Sequence, residues 1–346
     1  MIRSLLTVLF LPAALFAQQA APTPDASEAR APVIGVIGAS VSDGFRLIDF
    51  ANRVQNAEAV AQGYLGRRMK DGEFDARTDS THLQAVLAPG YDVADWHRNT
   101  DLWMFSAPMR KAQQQIAAVR EAGCELVYAV DLPFWFAYGA TGVRGRDDEA
   151  KQKRLAARLE RFQTFLDLCE EQFGDGEQQV VLGDIPDLSR ARMLITRPQV
   201  PTVEERQALN DALRAFVDER EWCHLFSLAQ AVDDVRAGLE IEVDGRSFVA
   251  DESNSFQLAL VHPTRLGVCL LAERVLEFAS TALPEGLRPE PVPLADLLQA
   301  AGVEAPWTGK PGQTDDSAPA DEDGGDGEPS AESTTGRVVA GVSPRH

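Results

Sequence analysis

The feature that most constrains this chain is an alternation, between positions 32 and 282, of short β-branched apolar runs with longer amphipathic stretches. Pro32-Val33-Ile34-Gly35-Val36-Ile37-Gly38 is too short for a helix and is bounded by glycine, so it reads as a strand buried on both faces. Runs 125–131 and 179–184 repeat that form, and 223–228 supplies a fourth. The intervening segments carry the helical period. Positions 108–122 place Ile116, Val119 and Ala122 on one face, with Gly123 as the stop. A long helix starts at Asp147, with Leu155, Leu159, Phe162, Leu166, Cys169 and Phe173 as its stripe, and ends at Gly174-Asp175-Gly176. Thr202-Val203-Glu204-Glu205 is a capping box opening a helix with Leu209, Leu213 and Phe216 inward. Positions 263–282 form the closing helix, carrying Leu266, Leu270, Val275 and Phe278.

Strands separated by helices of this length imply right-handed crossovers, and hence a three-layer α/β/α sandwich with a mostly parallel central sheet. In such sheets the ligand crevice lies beyond the carboxyl ends of the strands. The places to look for chemistry are therefore Gly38-Ala39-Ser40, Asp131 and Gly183-Asp184.

The two ends of the chain have a different character. Met1-Ile2-Arg3, an apolar run from Ser4 to Phe16, and small-residue cleavage after Ala17 have the three-part form of a secretory signal peptide. The expected organisation is a signal peptide (1–17), a Pro/Ala-rich linker (18–31), the folded domain (32–285), a C-terminal extension (286–307) and an acidic tail (308–346). The tail is too poor in apolar residues to offset its ordering entropy and is expected to be disordered. The mature protein is expected in the periplasm or outside the cell, without stable membrane insertion. The net charge of −20 argues against a nucleic-acid partner, which needs clustered Lys and Arg. Cys124, Cys169, Cys223 and Cys269 lie in apolar segments without metal-type spacing, and read either as buried thiols or as up to two disulfides.

Ser40 stands just past the first strand in a turn of small residues, where its hydroxyl can face the crevice. A serine needs a base to become a nucleophile. Of five histidines, His262 immediately precedes the closing helix, at a junction well placed to meet that crevice. Asp92, Asp95, His97 and Asp101 match no ligand spacing, so no metal is expected. Gly35-x-x-Gly38 is not a dinucleotide fingerprint, so no cofactor is expected either. Phe134, Trp135, Phe136 and Tyr138 read either as an apolar wall for an acyl chain or aromatic ester, or as core packing.

Taken together, Gly38-x-Ser40-x-Ser42-Asp43-Gly44 and the late His262-Pro263-Thr264-x-x-Gly267 resemble the SGNH (GDSL-type) hydrolases, over roughly 32–282. Gly183-Asp184-Ile185-Pro186 and Asn210 fit features common in that family. The resemblance implies a flavodoxin-like fold and a carboxylic ester hydrolase acting on an acetylated glycan or lipid. It implies Ser40 as nucleophile and oxyanion donor, His262 as base, Gly90 as a second oxyanion donor, and Trp135 at the substrate.

Three departures stand beside it. Ala39 replaces the family's aspartate before the serine, Ala129 and Asp131 stand for its third-block glycine and asparagine, and Ala259 stands where an aspartate precedes the histidine. Asp131 is then either protonated beside the oxyanion or turned toward His262 as a substitute third member of a triad. The alternative reading is a degenerate relative that binds a glycan or cell-envelope partner without hydrolysing it.

Overall fold

The computed structural model describes residues 30–46, 79–102, 104–191, 197–243, 245–257 and 261–303. The signal peptide, the acidic tail and Ala259 lie outside these. Five strands form one parallel sheet: β1 (Val33–Gly38), β2 (Asp95–Thr100), β3 (Leu126–Ala129), β4 (Gln179–Gly183) and β5 (Cys223–Phe226). Their spatial order is β2-β1-β3-β4-β5. The chain steps outward from β1 to β2, then returns across β1 to β3 and continues the other way. The order therefore reverses between β1 and β3, where doubly wound sheets open a crevice at their carboxyl ends.

Each sheet face is covered because side chains alternate along the strands. Val33, Ile37, Val127, Val180 and Leu182 face one layer. That layer consists of α2 (Pro108–Glu121), α4 (Asp148–Phe173) and α5 (Val203–Asp218), with Ile116, Val119, Phe162, Phe165, Leu209 and Leu213 in the shared core. Ile34, Val36, Leu126, Tyr128 and Val181 face the other. It contains α1 (Leu83–Leu87), α6 (Leu228–Ala237), α8 (Arg265–Ala282) and α9 (Leu294–Ala300). Two further short helices, α3 (Phe134–Ala137) and α7 (Glu252–Ser255), border the carboxyl-end loops. Among the described residues no helix is long and apolar enough to cross a membrane.

Three elements differ from the sequence expectation. β2, Asp-Trp-His-Arg-Asn-Thr, is a strand without a hydrophobic pattern; among the described residues it pairs with β1 alone, and much of it is exposed. An antiparallel hairpin of β6 (Leu239–Val243) and β7 (Arg246–Ala250) was also unanticipated. It buries Ile241, Val243, Phe248 and Ala250 in the α8 layer. Residues 286–307 were expected as an extension, yet Leu294, Leu297 and Leu298 of α9 are buried in the same core as α8. The four cysteines are free and buried.

Candidate functional site

The Ser40 turn is built on the last residue of β1. Gly38 has φ +143°, a backbone region L side chains rarely adopt, and a Cβ there would overlap the Asp131 carboxylate. Its two backbone polar groups are both taken by Gln115 of α2. Gln115 Oε1 accepts from the Gly38 N–H at 2.9 Å, and Gln115 Nε2 donates to the Gly38 carbonyl at 2.8 Å. After Gly38 the chain winds back on itself, with the Asp43 N–H on the Ala39 carbonyl (2.8 Å) and the Phe45 N–H on the Ser40 carbonyl (2.9 Å).

Asp131, just past β3, crosses the gap between β1 and β3 to hold this turn. Its carboxylate accepts from the N–H of Ala39 (3.1 Å to each oxygen), Val41 (3.0 Å) and Ser42 (3.4 Å), and from the Ser42 hydroxyl (2.7 Å). Burial pushes the Asp131 pKa up, while the Ser42 hydroxyl and the three N–H groups pull it down. Burial outweighs these bonds, so the pKa is raised on balance; the three N–H groups can only donate to the carboxyl, whereas the Ser42 hydroxyl can donate or accept. The triad role for Asp131 is corrected: its carboxylate is held by the 39–42 turn, and His262 Nδ1 has no hydrogen-bond partner among the described residues. The Ser40 N–H is the one amide between Ala39 and Ser42 that Asp131 leaves alone, and it has no acceptor among the described residues.

His262 is delivered by a short β-bridge between Phe256 and Pro263. Gln257 fixes that segment to the serine turn. Its N–H donates to the His262 carbonyl (2.8 Å), and its Nε2 donates to the carbonyls of Phe45 (2.7 Å) and Pro263 (2.8 Å). Thr264 caps α8 by accepting the Gly267 N–H. The resulting geometry puts His262 Nε2 2.8 Å from Ser40 Oγ, with the imidazole stacked on Phe45 at 4.1 Å between ring centroids. His262 Nδ1 is buried and has no hydrogen-bond partner among the described residues. Burial pushes the His262 pKa down to about 3. The imidazole is therefore neutral near pH 7, with Nε2 able to accept from Ser40.

Two cavities meet at Ser40. A wide cleft of ≈ 1110 Å³ is bounded by Ser40, Phe45, Phe105, Trp135, Arg161 and His262. A narrow, mostly apolar cavity of ≈ 80 Å³ also reaches Ser40, lined by Val232 of α6, Leu239, Phe256 and Leu271 of α8 among others. The aromatic run after Asp131 divides between the two readings it was given. Phe134 and Trp135 line both cavities, whereas Phe136 stacks on Phe165 in the core at 4.4 Å. Tyr138 touches the cleft, but its hydroxyl donates to the Pro186 carbonyl and accepts the Leu188 N–H. Trp135 Nε1 is buried with no acceptor among the described residues.

Gly90 is not brought to the site. It packs instead where a Cβ would meet Leu276 of α8, and its carbonyl accepts the Glu290 N–H. Asp184 caps α6, accepting from the Ala229 N–H (2.6 Å) and the Ser227 hydroxyl (3.0 Å), and Asn210 brackets the backbone of Ile185. Gln115 and Gln257 are the supports that sequence reasoning missed. Gln115 left a signal, a polar residue on the apolar face of a helix beside Ile116 and Val119. Gln257 left none.

No family model matches this chain, and no curated protein matches it. Among solved structures it is similar to the crystal structure of the lipase/acylhydrolase from Enterococcus faecalis. That likeness has 11% identity and a TM-score of 0.36, and covers 75% of this chain and 98% of that one.

Proposed function

We propose that this chain is an exported serine hydrolase of the SGNH (GDSL) type acting on a carboxylic ester, with Ser40 as nucleophile and His262 as base. The observation that carries the reading is the 2.8 Å contact between Ser40 Oγ and His262 Nε2 in the lining of a wide cleft. The strand order β2-β1-β3-β4-β5 is the flavodoxin-like one that this family's fold implies, which supports it. In the proposed reaction Ser40 Oγ attacks the ester carbonyl carbon while its proton passes to Nε2. The Ser40 N–H donates to the developing oxyanion. His262 then protonates the leaving alcohol, and water releases the acyl group by the reverse sequence. Asp131 acts through the turn: by holding the amides on either side of Ser40, it leaves the Ser40 N–H free to donate. Trp135 is assigned to the substrate wall, and Gly90 has no part.

The unpartnered Nδ1 favours a second reading, a degenerate protein that binds a glycan or cell-envelope partner without turnover. Nothing among the described residues stabilises the imidazolium that hydrolysis requires. One experiment separates the two. The purified protein is expected to hydrolyse a short-chain aryl ester, to be labelled at Ser40 by a serine-directed phosphonate, and to lose both in Ser40→Ala. Unchanged turnover in the variant removes Ser40 from the chemistry, and absent labelling in the wild type favours the binding protein.

A further inference from the structure

The two cavities that meet at Ser40 have unlike walls. The narrow one is mostly apolar, with Leu228, Val232 and Val235 of α6 and Leu270 and Leu271 of α8 among its walls. The wide one is bordered by the guanidinium groups of Arg46, Arg161 and Arg265, with Asp43 as its one lining carboxylate among the described residues. Asp79 bridges two of the three, at 2.6 Å from Arg46 Nε and 2.7 Å from Arg265 Nη2. Asp43 accepts from the Thr100 hydroxyl.

Arg161 differs from its neighbours. Arg158, one turn earlier on α4, pairs with Glu205 at 3.0 Å. Arg161 has no carboxylate in reach among the described residues. It donates from Nε to the Phe136 carbonyl (2.7 Å) and from Nη2 to the Ala137 carbonyl (3.2 Å). Those two bonds hold the guanidinium plane against α3 and leave Nη1 without a partner among the described residues. Nη1 faces the space over Gly139, where a Cβ would sit 3.2 Å from it. Burial, and then the charge of Arg158, pull the Arg161 pKa below its usual value. A half-buried, oriented guanidinium without a counter-ion among the described residues, in a chain of net charge −20, is a ready partner for an oxyanion.

We propose that the wide cleft takes an ester whose alcohol side carries an oxyanion, a carboxylate or a phosphate, bound at Arg161 Nη1 over Gly139. The narrow apolar cavity takes the acyl group. This assignment rests on the ester-hydrolase reading and narrows its substrate class.

The test compares esters that differ in charge alone. Wild type is expected to turn over 4-acetoxybenzoate at least about tenfold more efficiently, in kcat/KM, than its uncharged methyl ester, the order one charge-assisted hydrogen bond supplies. 4-Acetoxyphenyl phosphate is compared in the same way, and the larger ratio identifies the group as carboxylate or phosphate. Phenyl hydrogen succinate, with its charge on the acyl side, is expected to show no such advantage over phenyl butyrate. Added salt should shrink the wild-type preference, and Arg161→Gln should bring the ratio to about one. Equal efficiency on the charged and uncharged esters in wild type, or a ratio unmoved by Arg161→Gln, overturns the proposal. Calorimetric titration of benzoate into Ser40→Ala, with and without Arg161→Gln, reads the subsite without turnover. Weaker binding in the double variant supports the anion site even if no ester is hydrolysed, and equal binding overturns it.

Discussion

A histidine held neutral by burial leaves a signature in the pH dependence of folding, and His262 is the group to test. Its Nε2 meets a neutral hydroxyl, its Nδ1 meets no polar group among the described residues, and its pKa falls from 6.5 to about 3. In the unfolded chain the imidazole takes up a proton below pH 6.5, and in the folded chain only near 3. The stability this group contributes is therefore whole above pH 6.5 and is lost as pH falls toward 3. Between pH 7 and pH 5 the loss amounts to about 2 kcal/mol, from roughly 1.4 kcal/mol per pH unit over the window below 6.5. Urea unfolding of the full chain at the two pH values, for wild type and His262→Gln, isolates the effect because other groups cancel in the difference. Wild type should lose about 2 kcal/mol more than the variant on acidification. An equal loss in both proteins would show that His262 is not desolvated, and the argument from a neutral base would fall with it.

Two further substitutions probe the supports of the site. Asp131→Ala strips three backbone N–H groups and the Ser42 hydroxyl of their acceptor in a buried turn. At about 1–3 kcal/mol for each unsatisfied group, partly offset by entering water, a loss of about 3–5 kcal/mol is expected in denaturant unfolding. A loss below about 1 kcal/mol would mean that the turn holds itself. Arg158→Leu leaves Glu205 buried without its closest cation, Arg154 being 3.7 Å away. It should cost about 3–5 kcal/mol by the same measurement, with Arg158→Leu/Glu205→Leu regaining part of it.

The layered fold was legible because β1, β3, β4 and β5 carry apolar runs buried by helices, and α4, α5 and α8 carry stripes that tertiary packing uses as written. The capping box at Thr202 and the cap at Asp147 formed as local chemistry directs. β2 and the β6–β7 hairpin were not read. The first has no apolar pattern, and the second carries only a short Glu240 and Glu242 alternation ahead of the Asp244-Gly245 hairpin turn signal. α9 has the sequence of an extension, because a short helix reveals its core role only through what it packs against.

The sequence by itself determined the placement of Ser40 and His262. One follows the first buried strand and the other immediately precedes α8, and in a parallel sheet both positions open to the carboxyl-end crevice. It could not determine what Asp131 touches. That residue sits at a strand end from which a carboxylate can turn to the imidazole, the oxyanion or the serine turn, and sequence spacing does not separate these directions. Tertiary structure decided it by bringing three amides and a hydroxyl of the 39–42 turn within hydrogen-bond distance, a density of donors that no single alternative partner matches. That the guanidinium of Arg161 meets two carbonyls and no carboxylate among the described residues is likewise a tertiary fact. On the helix it is one arginine of several, and its lack of a carboxylate among the described residues depends on what the folded chain places around it.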